Sequence, residues 1–204
     1  MNGEFLNLLV MFLVVVDPIS LAPLFIALTH ELPAEQRRHI ALKGVAVATA
    51  VLVGFLFTGP HLLEALGVGM PAFRIAGGIL LFLLAIDMIF ARQSGLRSTT
   101  PRERAEAAHR LDISVFPLAI PLIAGPGTLT TLLLVSGERH TPTLEILAVL
   151  LLVLVLTLAS LLTAQGIVRL IGETGSNVVS RVLGIILAAL AVQYVLDGIR
   201  ESGI

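Results

Sequence analysis

The sequence predicts an all-α polytopic membrane protein: six transmembrane helices in two inverted three-helix repeats, with the first and fourth helices broken at mid-membrane. Three observations carry this reading. The 204 residues are 56% hydrophobic and 13% charged, with a mean hydropathy of +0.99, whereas a soluble domain carries roughly 25% charge. Six apolar stretches, about 5–29, 41–60, 71–91, 113–137, 144–168 and 178–198, are separated by charges and turn residues, and each is long enough to cross a bilayer. Two of them are interrupted at their thirteenth position, by Asp17-Pro18 in 5–29 and by Gly125-Pro126 in 113–137.

The first stretch holds one charge in twenty-five positions, Asp17. A proline costs a helix interior about 3 kcal/mol and a carboxylate at mid-bilayer about 2.5–3.5 kcal/mol on insertion scales, so the pair marks a break. Asp17 suits a helix N-cap and Pro18 the first helical position, where a missing N–H is no loss. The linker Glu31-Leu32-Pro33-Ala34-Glu35-Gln36-Arg37-Arg38 then starts the second span. In that span Ala46, Ala50 and Gly54 recur at i+4 spacing and mark a close helix contact, within the protomer or between protomers. A short crossing, Gly59-Pro60-His61 to Gly69-Met70-Pro71, leads to the third span.

Residues 92–112 form a charged cytoplasmic linker in which Thr100-Pro101-Arg102-Glu103 has a capping-box pattern, predicting a surface helix over 101–110. The fourth span, uncharged throughout, breaks at Gly125-Pro126-Gly127 beside Thr128; Pro23, Pro117 and Pro121 read as kinks or packing devices. Asp87 and Asp197 lie near span ends and read as anchors, and Gln193 as an interhelical or substrate contact.

The halves repeat. Pro18 and Pro126 are 108 residues apart, Glu4 matches Asp112 at the same offset, and Arg74-Ile75-Ala76-Gly77 resembles Arg181-Val182-Leu183-Gly184 at 107. An odd number of spans per repeat means that the second copy, 113–204, enters from the side opposite to the first, 1–91. With the first linker cytoplasmic, ten basic residues lie inside against three outside (Arg74, Arg139 and Arg200), which places both termini outside.

Several classes are disfavoured. There is no cysteine, the net charge is −1, and the five histidines lack metal-ligand spacing. No metal, cofactor or nucleic-acid partner is expected. The N-terminus lacks the positive region of a cleavable signal, so the first span is expected to be retained. The expected partners are a small-molecule substrate and the lipid bilayer, with the oligomeric state open. Half-helix N-termini favour an anion and the carbonyls ending the preceding halves favour a cation. The candidate substrate site is therefore Asp17, Pro18, Ser20, Gly125, Pro126, Gly127, Thr128 and Gln193. A carboxylate is expected at Gly125–Thr128 and an ammonium near Asp17, the candidate proton-coupling residue; sodium coupling stays open.

At these residues the chain resembles the MarC family of integral membrane proteins, which includes small neutral amino acid transporters. The matching segments are Asp17-Pro18-Ile19 with Pro23, the run from Phe116 to Gly127, Gly175-x-Asn177-Val178-Val179-x-Arg181, and Gln193 to Gly198. The chain departs from the family at Ser20-Leu21, where members often carry Gly-Asn, and at Thr128, where Ala or Ser is common. The resemblance implies six spans in two inverted halves in a prokaryotic plasma membrane, and a secondary transporter of glycine- or alanine-like substrates, not an enzyme. The alternatives are a channel-like protein or an exporter of another small metabolite, and an intramembrane enzyme. Against the enzyme, a lone mid-membrane acid lacks a nucleophile–base pair.

Overall fold

The computed structural model describes residues 3–90, 112–137 and 141–203. The predicted surface helix over 101–110 and most of the linker lie outside them. Among the described residues all regular structure is helical. α1 (Gly3–Val16) and α2 (Pro18–Leu28) make up the first apolar stretch; α3 (Ala34–Ala65) and α4 (Met70–Ile89) are long rods. α5 (Ser114–Ile123) and α6 (Pro126–Ser136) occupy the fourth stretch, followed by α7 (Thr143–Leu162) and α8 (Ala164–Ser202). Five helical runs are long and apolar enough to cross a membrane, or six when the bent α5–α6 pair is taken as one span.

The helix boundaries depart from expectation in the second, fifth and sixth spans. The second span was expected to stop at Pro60, but α3 continues to Ala65. Membrane helices tolerate such prolines because neighbours re-satisfy the freed backbone, and here Gly59 presses its backbone onto Leu133, where an added Cβ would lie 2.4 Å from Leu133 Cδ2. The fifth span ends at Leu162 rather than 168, because Thr163 lies outside helical geometry and α8 starts at Ala164. α8 itself is jointed at Gly172 (φ 68°, ψ 172°), a left-handed value suited to glycine. Its membrane-length part is Thr174–Ser202, longer than the expected 178–198.

The fourth stretch differs most. Its second half restarts at Pro126 as expected, but its first half is not a regular helix. Phe116 (φ −132°, ψ 125°) and Ile120 (φ −127°, ψ 124°) are extended, each preceding a cis proline, Pro117 or Pro121. The ring of a proline disfavours helical geometry in the residue before it. Two of its hydrogen bonds stretch to five residues, Leu118 N–H to the Ile113 carbonyl and Ala124 N–H to the Ala119 carbonyl.

Two apolar clusters organise the packing. The larger joins α1, α2, α3, α5, α6 and α7 through Phe12, Leu21, Leu52, Leu118, Leu132 and Leu150, among others. The smaller joins α1, α4, α6 and α8 through Val15, Leu84, Leu134 and Leu187. α4 and α8 run antiparallel at close range: an added Cβ on Gly78 would meet the Ala191 carbonyl at 2.7 Å, and one on Gly184 the Ala85 carbonyl at 3.1 Å. On α3 the inward face is Gly44, Ala48 and Leu52. Ala46, Ala50 and Gly54 are exposed instead, and an added Cβ on Gly54 would have nothing within 4 Å.

Candidate functional site at the two helix breaks

Asp17 is the centre of the first break. The Val14–Val16 run brings α1 to it fully buried, and the Asp17 N–H still closes the last turn onto the Leu13 carbonyl at 2.9 Å. Pro18 then disfavours ordinary helical geometry at the residue before it. Asp17 adopts the left-handed conformation (φ 49°, ψ 66°), which a short polar side chain tolerates better than most. Its Oδ1 caps α2 by accepting the Ser20 N–H at 3.3 Å, and its Oδ2 accepts the Ser180 hydroxyl at 2.8 Å. The residue is 0% exposed.

Two further serines hold the same turn. Ser160 on α7 donates to the Pro18 carbonyl at 2.6 Å, and Ser176 on α8 donates to the Ile19 carbonyl at 3.3 Å. Sequence reasoning passed over all three. Their signal was that hydroxyls in apolar spans need partners, with Ser176 and Ser180 four residues apart on one face. Ser20 keeps a buried hydroxyl with no partner beside the carboxylate.

The second break is built from backbone. Gly125 is extended (φ −85°, ψ 174°) and offers no side-chain cap. An added Cβ there would lie 2.2 Å from the Pro121 carbonyl oxygen, so only glycine lets the two turns approach. α6 starts at Pro126, with Leu129 N–H bonded to the Gly125 carbonyl at 3.0 Å. Thr128 is buried, and its hydroxyl donates to the Ile123 carbonyl at 2.8 Å. That carbonyl ends the first half of the span, so Thr128 already satisfies an acceptor that a cation could otherwise use. Thr131, one turn on, has a buried hydroxyl without a partner.

The structure brings the two breaks side by side. An added Cβ on Gly127 would lie 3.4 Å from Val15 Cγ1 and 2.5 Å from Leu84 Cδ2, so the end of α1 and the start of α6 touch. Asp17, Pro18, Thr128 and Gly125 are buried, Ser20 and Gly127 are partly buried, and Pro126 is exposed. Gln193 stands apart: it is exposed, and its amide donates to Asp197 at 2.9 Å on the same helix.

Two cavities open at opposite ends of the first span. One of about 380 Å³ lies near the end of α2, walled by Phe25, Arg37, Arg38 and Gln165. The other, of about 1170 Å³, lies along α1 before the break and includes Met11 and Arg74. Asp17 falls between Met11 and Phe25 along the chain. At the start of α5, Lys43 pairs with Asp112, which also accepts the Ser114 N–H at 3.0 Å. The Lys43 ammonium and the Ser114 hydroxyl together lower the Asp112 pKa from 3.8 to about 2.

Comparison with known proteins places this arrangement in a family. The pattern described as "MarC family integral membrane protein" matches residues 3–202. A UPF0056 membrane protein of Methanocaldococcus jannaschii is 38% identical over 192 residues, covering 92% of each chain. One from Archaeoglobus fulgidus is 35% identical over 192 residues, 93% of this chain and 89% of its own. The UPF0056 inner membrane protein YhgN of Escherichia coli is 36% identical over 198 residues, 97% of each chain. No solved structure matches. These relatives are named as membrane proteins, with no enzyme in their names, and this chain belongs to the MarC family of integral membrane proteins.

Proposed function

We propose that the chain is a secondary transporter of small neutral amino acids, coupled to protons through Asp17 and working by alternating access around the paired breaks. The observation that carries this is Asp17 itself: a wholly buried carboxylate at a helix break, held by the Ser20 N–H and the Ser180 hydroxyl, beside the unpartnered Ser20 hydroxyl. A membrane protein keeps such a costly group where it binds a cation or a proton. The facing break, Gly125-Pro126-Gly127, offers helix N–H groups that suit a carboxylate. Together they fit a zwitterion too small to press on Leu84 and Val15. The smaller cavity, at the end of α2, opens the first span toward Arg37 and Arg38 and supports access to the breaks from that side.

The same reading takes the halves as inverted repeats, and the packing supports it. α1 packs on α7 as α5 packs on α3, and α2 packs on α7 and α8 as α6 packs on α3 and α4. The third and sixth spans pair antiparallel across the middle. Both termini then face outward, by the distribution of basic residues.

Uptake of labelled alanine into proteoliposomes under an imposed proton gradient tests the function. The expected result is saturable uptake, with glycine and alanine competing and cationic or bulky compounds failing to compete. Product formation without translocation, or uptake indifferent to both proton and sodium gradients, overturns the reading. A cysteine placed at Ser202 tests the orientation: it should react with impermeant reagents in intact spheroplasts, and reaction only after permeabilisation reverses the topology.

A further inference from the structure

We propose that the cavity between α1, α4 and α8 is a groove for one phospholipid with a zwitterionic, primary-amine headgroup, drawn from the leaflet on the side of the two termini. The cavity measures about 1170 Å³. Pockets for drug-sized ligands run roughly 300–1,000 Å³, so glycine or alanine would leave most of this one empty. Its lining changes character along its length. Glu4, Arg74 and Glu201 come from the starts of α1 and α4 and the end of α8, while Val10, Ile186 and Leu190 wall the deeper part. At about 1.5 Å per residue, α8 travels ~22 Å from Glu201 back to Ile186. One leaflet of a ~30 Å hydrocarbon core is ~15 Å deep. The groove thus descends from headgroup level through roughly one leaflet. Val10 and Ile186 are exposed, and in a membrane protein exposed apolar side chains at that depth meet acyl chains. The groove is therefore open sideways to lipid.

Charge selects the headgroup. Arg74 is largely buried, with a side-chain exposure of 14%, and its Nη1 pairs with Glu201. Its Nε is buried with no acceptor. A guanidinium fork with one donor edge unsatisfied suits a phosphate, whose oxygens can take that edge when the side chain turns toward the cavity. Taking the phosphate frees part of Glu201. With the phosphate, the Glu4 and Glu201 carboxylates make three negative groups against one guanidinium at the rim. A primary ammonium lowers that excess from two charges to one, whereas an uncharged glycerol headgroup leaves it at two. Phosphate to Arg74 and ammonium to Glu4 and Glu201 describe phosphatidylethanolamine.

Lipid binding reads this inference without any transport assay, so the transport reading can fail while this one stands, and the reverse. Native mass spectrometry of the full chain is run with phosphatidylethanolamine or phosphatidylglycerol of matched acyl chains. The expected result is one retained phosphatidylethanolamine, bound at least ~10-fold more tightly than phosphatidylglycerol, about one charge-assisted contact's worth of discrimination. Arg74→Gln should abolish that preference. Because Arg74→Gln also breaks the pair with Glu201, Ile186→Trp serves as the second variant: it fills the groove from an exposed position and should expel the lipid while leaving the pair intact. Equal retention of both lipids, or an undiminished adduct in Ile186→Trp, overturns the proposal. Displacement of the lipid by free alanine overturns it as well, since the cavity would then admit the solute.

Discussion

The two breaks sit at matching places in the chain but are made of different materials. At Asp17 the chain steps out of helical geometry at one residue, a carboxylate caps the restart, and serines from α7 and α8 clip the turn. The flanking helices remain a single run, Gly3–Leu28, of 26 residues. At Gly125 no side chain caps the restart, two residues upstream are extended, and the span bends by 50°. The first break is thus held by polar groups, and the second by glycines that let backbone and apolar side chains approach. Two breaks made so differently can divide their labour, with charge at one and shape at the other.

The sharpest way to break the comparison is Asp17→Asn, which keeps a cap oxygen and removes the charge. Gradient-driven uptake should be abolished while circular dichroism and detergent stability stay close to wild type. Unchanged pH-dependent transport would reduce Asp17 to a structural cap and make the two breaks alike in function. Gly127→Val comes next. Its side chain would enter the space of Leu84 Cδ2, 2.5 Å from an added Cβ, and overpacking of this kind costs about 1–3 kcal/mol. Thermal unfolding should fall by several degrees, with uptake lost alongside. A normally stable variant would show that the second break is loose rather than close-packed.

Ser180→Ala should be intermediate. It leaves a buried carboxylate short of one donor, a loss of about 1.5–3 kcal/mol for a bond to a charged group. Unfolding in denaturant should report that loss, and Ser160→Ala, which breaks only a bond to a carbonyl, should cost less. Thr128→Ala completes the series at about 1 kcal/mol, with substrate affinity weakened less than in Gly127→Val. The smallest effect belongs to the surface pair at Lys43. Because the Asp112 pKa is lowered from 3.8 to about 2, its contribution to stability is present above pH 3.8 and fades as the pH falls through about 2. The pair is well exposed, so the effect should be slight. Melting curves across that window should differ between wild type and Lys43→Met.

Much of this was legible in the residues. The spans follow from apolar length alone, and Asp-Pro and Gly-Pro located both restarts because capping and the missing N–H are local chemistry. What the sequence hid was mostly tertiary. Ser160, Ser176 and Ser180 matter only because α7 and α8 cross the Pro18 turn, which no spacing along one helix announces. The small-residue face Ala46, Ala50 and Gly54 points outward while Gly44 and Ala48 beside it are buried, so of the two contacts it could mark only the one between protomers stays open. Gln193, expected as an interhelical or substrate contact, is exposed and bonds Asp197 on its own helix. Phe116 and Ile120 precede prolines, and that local rule alone argues against a regular helix over 114–123.

The length of α3 has a mechanical consequence. Its 32 residues make a rod of ~48 Å at about 1.5 Å per residue, against a hydrocarbon core of ~30 Å. Against the apolar stretch 41–60 the excess lies at both ends, and at the charged beginning Arg37 and Arg38 wall the smaller cavity. A rod of this length pivoting by ~10° about its centre swings each tip by ~4 Å. A modest rocking of α3 against α5, α6 and α7 is thereby magnified where the cavity meets water. Thinner or thicker bilayers, by setting the tilt of that rod, would set the width of that opening as well.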